Sequence, residues 1–180
     1  IQKTGPFEVA GPVARDWLRG AQNPHGTSNR DVVRPYWNGL DVTRRPRDSW
    51  IADFTRMTEG EAALFERPFR HIETTVKPAR LASTVKNGKD RAWLKSNWWL
   101  FWRARPELAE ARARYARVIV TPEVSKHRVF IWAPTVVGID KNLIAIARDD
   151  EVSLGILQSR VHEIWALRLG TSLEDRPRYT

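Results

Sequence analysis

Apolar residues in the last part of the chain recur every three or four positions. They lie in the run "EVSLGILQSRVHEIWALRLG" at residues 151–170, and a glycine ends the run. This spacing is typical of one face of an amphipathic helix, with the glycine at its C-terminal end. The pattern predicts one long helix whose apolar face is formed by Val152, Ile156, Leu157, Val161, Ile164, Trp165 and Leu169.

Three apolar runs of strand length precede this helix. They are "RVIVTP", "RVFIWAP" and "NLIAIAR", and the short polar stretches "EVSKH" and "GIDK" separate them. β-Branched and aromatic residues favour strands, and short polar connections favour antiparallel neighbours. The three runs therefore predict an antiparallel β-meander.

Shorter elements fill the first part of the chain. "GPVARDWLRG" predicts a helix between Pro12 and Gly20, and "SWIADF" predicts a buried strand. Thr58, followed three residues later by Glu61, is the signature of a capping box and predicts the start of a helix. "KNGKD" has the composition of a loop tip, and "PELAEARARYA" predicts a helix that starts at Pro106.

These elements together predict a single α+β domain over residues 1–180. In this fold an antiparallel β-meander packs against a long C-terminal amphipathic helix, and smaller helices lie in the N-terminal half. A chain of this length is sufficient for one substantial core. The other face of the sheet, or the loops at one end, is left for a partner.

The composition excludes several kinds of site. The chain has no cysteine, and its four histidines have no ligand-like spacing, so we expect no disulfide and no metal. No apolar run is long enough to span a bilayer, and the N-terminal residues lack the hydrophobic stretch of a signal peptide. We therefore expect no membrane association and a cytoplasmic location.

Positive charge is concentrated in the middle of the chain. The formal net charge is +9, and residues 66–117 hold 13 Lys or Arg against 5 Asp or Glu. Such an excess favours a polyanionic partner, and nucleic acid is the first candidate. The alternative is a solvated basic surface that only keeps the protein soluble.

The sequence contains no motif that predicts catalysis. Its ten glycines form no glycine-rich turn between a strand and a helix, and it has no G-x-S-x-G elbow. "NPHG" lacks the aromatic residue of the Asn-Pro-Pro-aromatic tetrad of amino-methyltransferases, and "EVSK" has one residue too many for the Glu-x-Lys of metal-dependent nucleases. We expect no catalytic residue in this chain.

The segment "WLKSNWWLFWRARP" alternates aromatic residues with cations. Exposed aromatic rings among cations stack on unpaired bases, which would make the segment a single-strand or RNA-binding surface. The alternative is that Trp98 and Phe101 or Trp102 form one buried face while the cations stay outside.

Two turns between the predicted strands carry side chains that are able to read base edges. Lys126, His127 and Arg128 place three donors side by side, which suits phosphates or the O6 and N7 acceptors of guanine. Lys141 and Asn142 lie in the following turn, and an asparagine meets adenine with a donor and an acceptor at once. A solvated hairpin turn explains the same residues, because polar residues are common in turns.

The C-terminal stretch "LEDRPRYT" is dense in hydrogen-bonding groups. Pro177 bars a helix and favours an extended path, on which Glu174, Arg176 and Arg178 project to one side. Arginine pairs bidentately with guanine, and glutamate accepts from the amino group of cytosine. The alternative is a frayed tail whose ion pairs contribute about 0–1 kcal/mol.

The order of motifs resembles the target-recognition domain of the MmeI-like (type IIL) restriction–modification enzymes and their stand-alone methyltransferase relatives. Together the matching stretches cover most of the chain from about residue 23 onward. They are "NRDVVRPYWNGLDV", "RDSWIADF", "EAALFERPF", "VKPAR", "WWLFWRARP", "VIVTPEVSKHRVF", "LGILQSRVHEIWAL" and "LEDRPRYT". Their shared order is more specific than any one of them.

The resemblance implies that this chain is the double-stranded-DNA-recognising part of a larger bacterial DNA adenine-N6 methyltransferase, with or without a fused nuclease. The catalytic domain, its Asn-Pro-Pro-Tyr-type tetrad and its S-adenosylmethionine would lie upstream, so no cofactor is expected here. The resemblance also implies the residues that contact bases. They are Glu174, Arg176, Arg178, Lys126, His127, Arg128, Lys141 and Asn142.

The basic middle of the chain supplies the candidates for contacts with the DNA backbone. They are Lys77, Arg80, Lys86, Lys89, Arg91, Lys95, Arg103 and Arg105. The leading hypothesis is that these cations contact phosphates regardless of sequence, while the turn and terminal residues discriminate among bases. The alternatives are an RNA or single-strand binding module that uses the Trp-rich segment, a protein-interaction domain and a compact nuclease with an atypical site.

Overall fold

The computed structural model describes residues 1–20 and 22–179, and it divides into two compact units. Unit 1 comprises residues 1–36 and 48–104, and unit 2 comprises residues 37–47 and those from 105 onward. The helices are α1 (Gly11–Arg19), α2 (Gly39–Thr43), α3 (Glu59–Ala63), α4 (Glu66–Leu81), α5 (Gly88–Ser96), α6 (Pro106–Arg112), α7 (Glu151–Gln158) and α8 (Arg160–Leu169). The strands are β1 (Glu8–Ala10), β2 (Val33–Trp37), β3 (Ser49–Ala52), β4 (Arg117–Pro122), β5 (Ile131–Pro134), β6 (Gly138–Ile139), β7 (Leu143–Ile146), β8 (Thr171–Leu173) and β9 (Arg176–Arg178).

Unit 1 combines a small antiparallel sheet with four helices. β3 lies between β1 and β2, with Trp50 opposite Val9 and Ile51 opposite Arg34. The predicted strand in "SWIADF" and the predicted helix after Pro12 are both confirmed. Buried aromatic side chains fill the core of this unit; they include Phe7, Trp17, Tyr36, Phe54, Phe65, Trp98, Trp99 and Phe101.

Local hydrogen bonds fix the helix starts in unit 1. The predicted capping box is confirmed, because the Thr58 hydroxyl accepts from the Glu61 N–H at 3.3 Å and the Glu61 carboxylate accepts from the Thr58 N–H at 2.7 Å. "KNGKD", predicted as a loop tip, instead begins α5, because the Asn87 side chain accepts from the N–H groups of Lys89 and Asp90. A short polar residue before a helix is a capping signal as well as a turn signal.

Unit 2 is built on a three-stranded antiparallel sheet in the order β5–β4–β7. The antiparallel strands are confirmed, but a meander would place β5 in the middle, and the observed centre is β4. β4 is the strand that is buried along nearly its whole length, whereas β5 and β7 are only partly buried. Its continuous apolar run suits a central position with a neighbour on each side.

The helix α2 of unit 2 depends on one buried carboxylate. Asp41 accepts hydrogen bonds from the Asn38 N–H at 2.9 Å and from the Arg47 guanidinium at 2.9 and 3.1 Å. Burial raises the pKa of Asp41, but these hydrogen bonds outweigh burial and leave the pKa below its ordinary value.

The prediction of a single long C-terminal helix is wrong. The chain forms two short helices, α7 and α8, and Ser159 between them has an extended backbone and accepts from the His162 N–H. Serine is a strong N-cap residue, so it starts a new helix where periodicity alone continues the old one. Neither helix contributes a buried residue, and the exposed fractions of Val152 and Val161 are 71% and 79%.

Candidate nucleic-acid interface

The C-terminal residues fold into a β-hairpin instead of the single extended strip that we predicted. β8 and β9 pair in antiparallel fashion, with Leu173 opposite Arg176, so Glu174 and Asp175 form a two-residue turn. Glu174 has a φ of 57°, a conformation that is uncommon outside glycine. The Arg176 guanidinium donates to the Glu174 carboxylate at 2.9 Å, and both side chains are exposed.

Glu123, which follows β4, attaches this hairpin to the rest of unit 2. Its carbonyl accepts from the Tyr179 N–H at 2.8 Å, and its carboxylate accepts from Arg178 Nε at 2.9 Å. Beside it, the Ser125 N–H donates to the Pro177 carbonyl at 3.2 Å, and Val124 forms an isolated bridge with Arg178. The hairpin is therefore docked along the segment that carries Lys126 to Arg128.

The three residues of that segment differ in exposure. Lys126 and His127 are exposed, and Arg128 is half-buried. The Arg128 guanidinium donates to the Thr121 hydroxyl and to the Pro177 carbonyl, both at 3.2 Å, and lies over the Tyr179 ring. Burial lowers the pKa of Arg128. As placed, Arg128 supports the hairpin from within, and Lys126 and His127 are the side chains that face solvent.

The turn after β6 reaches the same place. Asn142 donates its N–H to the Asp140 carboxylate at 3.0 Å, and its carbonyl accepts from the Glu123 N–H at 2.8 Å. These backbone bonds leave the side chains of Lys141 and Asn142 exposed. Glu123 thus joins the turn, the hairpin and its own segment.

We call residues 123–128, 141–142 and 174–179 the polar cluster. All eight sequence-predicted base-contact residues belong to it, and all of it lies in unit 2. Its exposed tips carry both donors and acceptors, which is the chemistry needed to distinguish base pairs. Sequence reasoning missed Glu123, because nothing in its local sequence indicates that distant segments meet there.

Most of the predicted backbone-contact cations lie on the surface. Lys86, Lys89, Arg91, Lys95 and Arg103 are exposed in unit 1, and Arg105 is exposed in unit 2. Lys77 is half-buried, pairs with Glu73 and lies 4.4 Å from the centre of the Trp98 ring.

Arg80 must be removed from the backbone-contact candidates, because its side chain is buried. It is 2% exposed, and its guanidinium donates to the carbonyls of Lys3, Thr4, Asn97, Trp98 and Leu100 at 2.7–3.3 Å. Burial lowers its pKa to about 10. The residue ties the N-terminal segment and the loop after α5 to α4, and its burial keeps the guanidinium away from a phosphate.

The Trp-rich segment belongs mainly to the core. Trp98, Trp99 and Phe101 are buried, and the indole N–H groups of Trp98 and Trp99 donate to Glu59 and to the Met57 carbonyl. The predicted alternative in which Trp98 and Phe101 are buried is therefore confirmed, and Trp99 is buried as well, whereas Trp93 is exposed. Buried rings are not available to stack on bases.

The residues that the structure describes contain no group of three or more His, Cys, Asp or Glu side chains placed to hold a metal ion. Within the same part of the chain, no helix has the length and apolar character needed to cross a membrane.

One solved structure supplies a comparison for the whole chain. It is the type IIL restriction–modification enzyme MmeI in complex with DNA, with a TM-score of 0.72 and 17% sequence identity over 99% of this chain. This chain spans 22% of the length of the MmeI chain. Comparison with protein-family models found no match, and comparison with curated proteins found none. The resemblance predicted from the order of motifs is therefore confirmed at the level of the fold, which this chain shares with a part of MmeI.

Proposed function

We propose that this chain recognises specific sequences in duplex DNA through the polar cluster of unit 2. The observation that carries the proposal is the convergence of three segments, distant in sequence, on Glu123. Each segment had been selected from the sequence for side chains able to read base edges. Their meeting at one place supports a single recognition surface.

In this proposal the exposed cations contact phosphates. Unit 1 presents Lys86, Lys89, Arg91, Lys95 and Arg103 without burying any of them. Contacts of this kind bind DNA regardless of sequence and release counterions. The fold likeness to MmeI, whose structure was solved in complex with DNA, adds support.

We further propose that the chain acts within a longer restriction–modification enzyme. There it would position a target adenine for an S-adenosylmethionine-dependent methyltransferase domain, and it would itself be non-catalytic. The support is that the matching region is about a fifth of MmeI, a restriction–modification enzyme. Sequencing the parent gene tests this idea, because a methyltransferase tetrad should be encoded upstream of residue 1.

The first experiment measures binding of the 180-residue chain to a fluorescent duplex between about 50 and about 200 mM salt. We expect the logarithm of the association constant to fall linearly with the logarithm of salt concentration. The slope should be about −4.5 if the five exposed cations of unit 1 each contact a phosphate. Binding that does not change with salt would contradict the backbone contacts.

The second experiment selects bound duplexes from a pool of random sequence. We expect a short sequence to be enriched, and a single-stranded pool to compete poorly, because three of the five rings of the Trp-rich segment, those of Trp98, Trp99 and Phe101, are buried and cannot stack on bases. Equal binding of single strands would favour an RNA or single-strand binding module. Enrichment of no sequence would overturn the proposed recognition.

A further inference from the structure

An aromatic cluster lies beneath the C-terminal hairpin, apart from the main core of unit 2. Phe130, His162 and Tyr179 pack pairwise edge-to-face, with ring centroids 5.4–5.8 Å apart. Phe130 is 1% exposed. Phe130 directly precedes β5, His162 lies in α8 and Tyr179 directly follows β9, so the cluster joins three parts of the chain.

The hydrogen bonds of His162 indicate which of its ring nitrogens donates and which accepts. His162 Nδ1 lies 2.8 Å from the Leu157 carbonyl oxygen, which is only able to accept, so Nδ1 carries a proton. In the neutral ring Nε2 then accepts from the Tyr179 hydroxyl, 3.2 Å away. His162 therefore connects α7, α8 and the hairpin through one imidazole.

Arg128 adds two further contacts to this attachment. Its guanidinium lies 5.1 Å from the centre of the Tyr179 ring and donates to the Pro177 carbonyl. Tyr179 is thus contacted by the Arg128 guanidinium and by the rings of Phe130 and His162, and its own N–H donates to the Glu123 carbonyl. None of these contacts involves Glu174 or Arg176, which pair with each other at the tip of the hairpin.

We propose that Phe130, His162, Tyr179 and Arg128 form a positioning cluster that fixes where the hairpin tip stands, and that sequence discrimination by Glu174 and Arg176 depends on it. This inference rests on the proposed recognition of duplex DNA. Its physical basis is preorganisation: a tip held in place before binding loses less conformational freedom on binding. In this proposal Arg128 is a positioning residue and does not contact bases.

The test compares three variants of the 180-residue chain. Tyr179→Ala removes the ring, Tyr179→Phe removes only the hydroxyl, and Tyr115→Phe is the matched control. Tyr115 is a partly buried tyrosine of the same unit whose hydroxyl makes no hydrogen bond to the residues that the structure describes.

The first measurement is amide hydrogen exchange without DNA. The amides of Ser125 and Tyr179 report attachment of the hairpin, and those of Val118 and Val120 in β4 report the main sheet. We expect Tyr179→Ala to accelerate exchange at the attachment amides about thirtyfold and Tyr179→Phe about fivefold. The amides of β4 in all variants, and all amides in Tyr115→Phe, should change less than about twofold.

The second measurement repeats the selection from random duplexes. Tyr179→Ala should lose enrichment at the base pairs that depend on Glu174 and Arg176 in wild type, while the salt slope stays the same. Tyr179→Phe should recover most of that enrichment. A residue that served only general stability would instead weaken every position together, and that result overturns the proposal.

The two measurements separate the possible failures. If wild type enriches a sequence and Tyr179→Ala enriches the same one at every position, the positioning role is wrong and the proposed function stands. If wild type enriches nothing, the proposed function fails, and the exchange measurement alone decides whether the cluster anchors the hairpin. If Tyr179→Ala leaves hydrogen exchange at the Ser125 amide unchanged, the claim that the cluster anchors the hairpin is wrong.

Discussion

Arg80 of unit 1 and the polar cluster of unit 2 place their polar groups in opposite environments. In unit 1, Arg80 is buried, and its guanidinium donates to five backbone carbonyls. The core of the same unit is rich in aromatic rings. In unit 2 the polar cluster lies at the surface around Glu123, and neither α7 nor α8 contains a buried residue, although Asp41 of the same unit is buried. Unit 1 therefore derives its order from burial, and unit 2 holds its exposed polar cluster by hydrogen bonds and a few rings.

This difference indicates which substitutions should change the free energy of unfolding and which should change DNA recognition. Changes inside unit 1 should act on the free energy of unfolding, because buried groups have no alternative partner. Changes at the polar cluster should act on recognition, because exposed side chains contribute little to stability. The predictions below test this division, beginning with the largest effect.

The strongest test is Arg80→Met. The substitution leaves several carbonyls without a donor, among them those of Lys3 and Leu100. We expect a loss of about 3–5 kcal/mol in the free energy of unfolding, measured by urea denaturation and tryptophan fluorescence. Arg91→Met, at an exposed position, is the control and should change it by less than about 0.5 kcal/mol. A small effect of Arg80→Met would break the contrast between the units.

The next test compares an arginine of the polar cluster with a lysine of unit 1. Arg176→Ala should cost on the order of 1–3 kcal/mol at one base-pair position and relax specificity there. Lys89→Ala should weaken binding to all sequences alike and make the salt slope about one unit shallower. Duplexes that differ at single base pairs, measured at several salt concentrations, distinguish the two. Uniform weakening by Arg176→Ala would make it a phosphate contact.

Acid should weaken unit 2 through Asp41. Its pKa is lowered in the folded state, so its contribution is complete above the ordinary value of 3.8 and is lost as the pH falls through the lower folded value. Asp41→Asn should cost about 1–2 kcal/mol at pH 7, and it should lose less further stability than wild type on acidification. Urea denaturation at pH 7 and pH 3 measures both effects. An identical acid dependence in the two proteins would exclude this role.

The smallest effect is expected at the hairpin tip. Glu174→Gly removes a positive-φ strain and should stabilise the hairpin by about 0.5–1 kcal/mol, while it removes the carboxylate beside Arg176. Asp175→Gly is the control, because the φ of Asp175 is not positive and glycine there should only add flexibility. Hydrogen exchange of the hairpin amides measures stability, and selection from random duplexes measures base preference. Loss of stability in Glu174→Gly would contradict the strain at this turn.

Local signals in the sequence predicted much of the fold. The capping box at Thr58, the strands β3 and β4 and the helix α6 each depend on neighbouring residues, and all were found. The failures had two different causes, one in distant contacts and one in a local capping signal. The order β5–β4–β7 depends on which strand is buried on both sides, and the break at Ser159 depends on a single cap that outweighs a periodic pattern.

The candidate site was predicted in its parts and missed in its connections. The chemistry of Arg176 and Lys126 is visible from residue type, and both are exposed as expected. The burial of Arg80 could not be predicted from the sequence, because the guanidinium of an arginine in a basic run is able to donate either to buried carbonyls or to phosphates. The roles of Glu123 and Tyr179 depend on contacts with residues that are distant in the sequence. Arg178, for example, contacts Glu123 although more than 50 residues separate the two.

The uncovered apolar side chains of α7 and α8, Val161 and Trp165 among them, have a practical consequence for handling the protein. At low ionic strength the net charge of +9 keeps copies of the chain apart by mutual repulsion. At about 0.1 M salt the repulsion is screened at distances beyond about 10 Å, and we then expect the exposed apolar side chains of α7 and α8 to promote self-association. Light scattering should therefore accompany every salt titration, so that self-association of the protein is not mistaken for release of DNA.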